Sequence, residues 1–178
     1  MIFFTSDQHF GHTNILRYTS RPFESTEEMD EEMIKRWNAV VRPLDIVYHL
    51  GDFTLGAGAG DYLSRLRGTV RFVVPPFHHD KRWLENKPNF KNIEYLPAMW
   101  VEDIAGVWVH MCHYPVLVWD RKHYGSWNLY GHVHNKDFTL PGFSYNVGVD
   151  HNDFTPVSFD KIIDVMLHKG WSKDWREF

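Results

Sequence analysis

Met1-Ile2-Phe3-Phe4-Thr5-Ser6-Asp7-Gln8-His9 is a short apolar run that ends in a carboxylate and an imidazole. The run reads as a β-strand, and Asp7 and His9, two residues apart, share one side of an extended segment. The same arrangement returns downstream. Asp52 follows Val47-Tyr48-His49-Leu50-Gly51, His78-His79-Asp80 follows the run at 70–75, and His113 follows Val107-Trp108-Val109-His110-Met111-Cys112. His132 and His134 follow the run at 127–131. Strands of this kind are expected to pair in parallel, with their carboxyl ends converging on one crevice. Imidazoles gathered with a few carboxylates form a transition-metal site. The ligands exceed what one ion needs. The economical reading is a pair of metals about 3.5–4 Å apart, the machinery of phosphate-ester hydrolysis.

The rest of the chain supplies a frame for these stations. Strands are predicted at 1–6, 45–50, 70–75, 92–96, 106–112, 127–131 and 143–149. Ser25 and Glu28 form a capping box that starts a helix over 26–40, with Met29, Met33, Ile34, Trp37 and Val40 as its apolar stripe. Pro43 stops it. Further helices are predicted at 59–66 and 158–168. The order β-α-β-α-β followed mostly by strands suggests a mixed α/β layer structure whose later strands make a second sheet. With 178 residues and 43% apolar content, one self-sufficient domain is the simplest organisation.

Composition narrows the function classes. A net charge of −4 argues against tight binding of duplex nucleic acid. It leaves phosphorylated substrates open, because divalent ions make a site locally positive. No apolar segment reaches the roughly 20 residues needed to cross a bilayer. The N-terminal run lacks the basic flank of a signal peptide. Cys112 is the single cysteine, so no intrachain disulfide forms. A cytoplasmic location fits, with Cys112 as a buried structural thiol.

The ordered set Asp7-x-His9, Gly51-Asp52, His79-Asp80, His113 and Gly131-His132-x-His134 resembles the calcineurin-like metallophosphoesterase superfamily. The resemblance runs from Asp7 to about Asn146 and is nearest to its small, cap-free bacterial and phage members. It implies a four-layer α-β-β-α sandwich of two mixed sheets flanked by helices. It implies one metal held by Asp7, His9, Asp52 and His134, and a second held by Asp52, residue 78, His113 and His132. His79 becomes the general acid and Asp80 the carboxylate that orients its ring. A hydroxide bridging the two ions would attack a phosphodiester or phosphomonoester, including nucleotides. Manganese is the first expected metal, with iron, nickel or zinc as substitutes. The third block departs from the family, which has Gly-Asn-His where this chain has Phe77-His78-His79. His78 either supplies a nitrogen ligand in place of the amide oxygen or points away.

His12 and Arg21 are candidate contacts for substrate phosphate, with Arg17 beside them. His123, Tyr124 and Trp127 either wall a pocket or pack. His49 and His110 read as structural. A second functional class remains open at this level. The same fold, with its third block altered, would serve as a metal-binding or protein-interaction module.

Overall fold

The computed structural model describes residues 1–55, 58–73, 79–85, 89, 92–136, 138 and 140–173. The fold is α/β, with two mixed sheets packed as a sandwich and helices flanking them. The first sheet has the order β4-β3-β2-β1-β9. Here β1 is Ile2–Thr5, β2 Ile46–His49, β3 Thr69–Val73, β4 Ile93–Leu96 and β9 Val157–Ser158. Strands β1 to β4 run parallel, and β9 joins β1 antiparallel. The second sheet has the order β5-β6-β7-β8, from Met99–Ile104, Val107–Cys112, Trp127–Tyr130 and Ser144–Asn146.

Period-two alternation divides the apolar residues between two cores. Phe3, Val47 and Phe72 face helices α2 (Thr26–Val40) and α3 (Ala59–Arg65), where Met29, Met33, Trp37 and Leu63 pack on them. Their neighbours Phe4, Tyr48 and Val73 point the opposite way. They meet Val109, Met111, Trp127 and Leu129 of the second sheet, together with Ile162 and Met166 of α5 (Phe159–His168). The first sheet is therefore buried on both faces, which is why its strands read as nearly continuous apolar runs.

The helix over 26–40 forms as expected, and Ser25 accepts from the Glu28 amide at 3.1 Å. Glu28 returns a bond to the amide of Glu24 at 2.7 Å, so the box closes one residue earlier than its usual form. Two strands lie outside the predicted set, β5 and the two-residue β9. Strand β5 carries Glu102 and Asp103, which mask its apolar alternation. The Glu102 carboxylate is satisfied by Tyr48 and by Trp100 at 2.7 and 2.8 Å. The β5–β6 hairpin turns on Ala105 and Gly106, both at positive φ, the geometry a two-residue primed turn demands.

Candidate metal centre

The site forms where the two sheets meet at their carboxyl ends. Strands β1 and β2 pair in register, Thr5 opposite His49. The loops beyond them stay zipped, with the Asp7 amide on the Gly51 carbonyl at 3.0 Å and the His9 amide on the Asp52 carbonyl at 2.9 Å. This brings Asp7, His9 and Asp52 together. From the second sheet, β6 delivers His113, and the turn after β7 delivers His132 and His134. Gly131 donates to the His113 carbonyl at 3.0 Å, and an isolated parallel bridge joins Ser6 to Gly148.

Two groups of three side chains have their ligand atoms within 4.8 Å of one another. One is Asp7, His9 and His134; the other is Asp52, His113 and His132. Oδ2 of Asp52 lies between them, 3.3 Å from Nε2 of His9 and 3.6 Å from Nε2 of His113. A third group, His9 with His12 and His79, adjoins the first.

Several features fit these groups to metal ions. Both ring nitrogens of His9 are buried without a hydrogen bond among the described residues. Such an orphaned polar group is costly unless something outside the chain satisfies it. Nδ1 of His113 lies 3.0 Å from the Leu50 carbonyl. A carbonyl only accepts, so Nδ1 holds the proton and Nε2 presents a lone pair. That Nε2 lies 3.1 Å from Nδ1 of His132, a spacing that suits two donors on one cation. Nδ1 of His134 donates to Asp150 at 2.8 Å, freeing its Nε2. Burial lowers the His9 pKa to about 4 and also lowers those of His12 and His132, favouring the neutral ring a metal requires. Burial raises the Asp7 pKa, the cost of a carboxylate without its counter-ion.

The backbone is shaped for this convergence. Asp7, His9, Asp52, His132 and His134 all have φ between 50° and 71°. Left-handed conformations cost non-glycine residues on the order of 1 kcal/mol each and gather at functional sites. Gly131 permits the closest approach in the site. A Cβ there would sit 2.4 Å from Oδ2 of Asp7 and 2.1 Å from Oγ of Ser6.

No family model matches the chain. It is 34% identical over 179 residues to the uncharacterized protein MJ1445 of Methanocaldococcus jannaschii, covering 95% of this chain and 92% of that protein. The chain belongs to the MJ1445 family. Its structure is also similar to the crystal structure of a protein of unknown function, AQ665 from Aquifex aeolicus. That likeness has a TM-score of 0.72 at 25% identity and covers 93% of this chain and 98% of the other.

Six of the seven expected ligands come together as described. The seventh, His78, lies outside the described residues. His79 reaches the site as a half-buried ring, edge-on to His9 at 4.8 Å between centroids. Asp80 is not the residue that orients it. Among the described residues, its buried carboxylate accepts from the amides of Phe53 and Thr54 and from Nε1 of Trp83, at 2.7–3.0 Å. Asp80 therefore pins the loop that follows Asp52.

Arg21 is not a phosphate clamp either. A guanidinium has five N–H donors, and here the chain takes all of them. Nε and Nη2 grip Asp150 at 2.8 Å each, Nη2 also bonds the Asp7 carbonyl at 2.6 Å, and Nη1 bonds the Gln8 carbonyl at 2.8 Å and the Met29 sulfur at 3.3 Å. Arg17 is exposed on the short helix α1 (Ile15–Tyr18). His12 does reach the site, its ring 5.3 Å from that of His79 and its Nδ1 without a partner among the described residues.

His49 is structural. Its Nδ1 accepts from the Gly51 amide at 3.1 Å, so Nε2 carries the proton and donates to Gln8 at 2.6 Å. Trp127 is fully buried between the sheets, so it walls no pocket. The aromatic beside the site is Tyr114, edge-on to His132 at 4.7 Å. Asp150 was missed by the sequence reading, although it follows a strand end as the other carboxylates do. Burial alone would raise its pKa, but His134 and Arg21 outweigh that and hold it well below the usual range. No described helix is long and apolar enough to cross a membrane.

Proposed function

We propose that this chain hydrolyses phosphate esters at a pair of divalent transition-metal ions, as a member of the calcineurin-like metallophosphoesterases. The observation that carries the reading is the pair of ligand groups with Oδ2 of Asp52 between them. Asp7, His9 and His134 would hold one ion, His113 and His132 the other, and Asp52 would bridge. When bound, such ions lower the pKa of a water and offset charge on the phosphoryl oxygens. Manganese, iron, nickel or zinc suits this imidazole-rich set better than magnesium, which prefers oxygen.

The chain's own residues supply the remaining functions. His79 stands at the edge of the site and lines the open cleft above it, where a leaving group departs. It donates a proton to the leaving oxygen. His12 contacts the phosphoryl oxygens beside it. Asp150 keeps the proton of His134 on Nδ1, as carboxylates behind metal-bound imidazoles do. Arg21 locks Asp150 and the Asp7 loop in place.

The test pairs elemental analysis with turnover. Chelated protein reloaded with manganese should bind two ions per chain and hydrolyse bis(p-nitrophenyl) phosphate or p-nitrophenyl phosphate. Full activity of the chelated protein in magnesium alone would refute the choice of metal. Two bound ions without turnover of any ester would refute the enzyme in favour of a metal-binding module.

A further inference from the structure

The cleft over the centre encloses about 650 Å³. Asp52, His79 and His132 line it beside Lys81, Arg82 and Tyr114. Lys81 and Arg82 belong to α4 (Lys81–Leu84), a single turn fixed from both sides. On one side, Asp80 is bonded to the Phe53 and Thr54 amides. On the other, Trp83 is buried in the helix-side core against Phe72, with ring centroids 5.0 Å apart. Arg82 sits between these anchors, so its Cα is held while its side chain remains exposed. It lines the same cleft as His79.

The charges on this wall do not cancel. Nζ of Lys81 lies 3.8 Å from Glu85, which also lines the cleft, so that pair is nearly neutral. Arg21, Arg36, Arg65 and Arg71 each rest on a carboxylate. Arg82 has no such partner among the described residues. In a chain of net charge −4, this guanidinium, with no carboxylate partner among the described residues, lines the cleft over the candidate metal centre. A guanidinium presents a planar fork that fits two phosphate oxygens.

We infer that Arg82 binds a second phosphate group of the substrate, so that the preferred esters carry another phosphate on the same molecule, as a nucleotide diphosphate or bisphosphate does. The inference rests on the phosphoesterase reading of the cleft floor. The phosphate that reacts would lie over the residues that would hold the metals, and Arg82 takes the one that does not. Leu55 and Tyr114 add exposed apolar surface to the same cleft for the organic part of the substrate. Lys81, engaged with Glu85, contributes less.

Calorimetry on manganese-loaded protein tests this without requiring turnover. The probes are thymidine 5′-monophosphate, thymidine 5′-diphosphate and thymidine 3′,5′-bisphosphate. One charge-assisted contact at an exposed site should make at least one of the two doubly phosphorylated probes bind about tenfold more tightly than the monophosphate. In Arg82→Ala the advantage should vanish while monophosphate binding persists, and Arg82→Lys should keep part of it. Equal binding of all three probes by the native chain overturns the inference. So does a preference that survives Arg82→Ala. Turnover of bis(p-nitrophenyl) phosphate by the same samples is read separately. Its absence refutes the phosphoesterase reading, whereas turnover with no preference among the probes refutes the second-phosphate site alone.

Discussion

Replacing Arg21 by alanine separates two roles that a sequence cannot tell apart. A residue that clamps substrate would, when lost, raise KM and leave the fold intact. The structure assigns Arg21 the opposite character. Its guanidinium is buried against a carboxylate equally buried, with two contacts of 2.8 Å. Truncation leaves Asp150 with His134 as its remaining side-chain partner among the described residues and strips the Asp7 and Gln8 carbonyls of donors. Breaking a buried pair from one side costs roughly 3–5 kcal/mol. Water entering the space left by the side chain will recover part of what the carbonyls lose, so the lower half of that range is expected. In a chain of this length each kcal/mol moves the Tm by roughly 2–4 °C, which puts the melting point about 6–16 °C lower. The measurement is urea and thermal unfolding of metal-free protein, so that ligand binding does not contribute, followed by metal content and kinetics after reloading. Arg21→Lys should fall between, because an ammonium keeps the charge but lacks the fork. Unchanged stability with a raised KM alone would refute this account and restore the phosphate clamp.

Asp52→Asn should reduce metal content and turnover more than Asp7→Asn, because Asp52 stands between both ligand groups; two ions bound normally by the Asp52 variant would count against bridging. His79→Ala should retain both ions yet slow hydrolysis by about 10²–10⁴-fold for poor leaving groups and far less for an activated aryl ester, as a leaving-group series would report. Gly131→Ala should displace Asp7 or Ser6, since its Cβ would fall 2.4 Å from Oδ2 of Asp7; metal titration should then show weakened binding in the group containing Asp7. Asp30 accepts from Tyr62 and from the Gly11 amide, and burial pushes its carboxyl up to about 6. Its proton is therefore held more tightly in the folded chain than in the unfolded one, so this residue's contribution to stability is greatest below about pH 4 and is lost as pH rises through 6. In Asp30→Asn the decline in stability between pH 4 and 7 should be shallower by at most about 3 kcal/mol, measured by denaturant unfolding across that range. An identical pH profile for the two proteins would refute the assignment.

The sequence by itself determined where the candidate ligands would gather. Asp7, Asp52, His113 and His132 each terminate an apolar run, and the carboxyl end of a strand is a place that pattern alone locates. It determined helix 26–40 as well, because a capping box and a 3.6-residue stripe are local signals. It missed strand β5, where Glu102 answers to Tyr48 across the gap between the sheets. Only the tertiary structure decided what the other polar residues do. Arg21 and Asp150 are separated by 129 residues, and His113 finds the carbonyl that fixes its tautomer 63 residues away. His12, ambiguous in the sequence, joins His9 and His79 because two loops from different strands close over the same point. A residue's tendency to bend, cap or alternate is written in its neighbours along the chain. Which donor satisfies which acceptor depends on strand order and on the packing of one sheet against the other, and those are set by burying two cores at once.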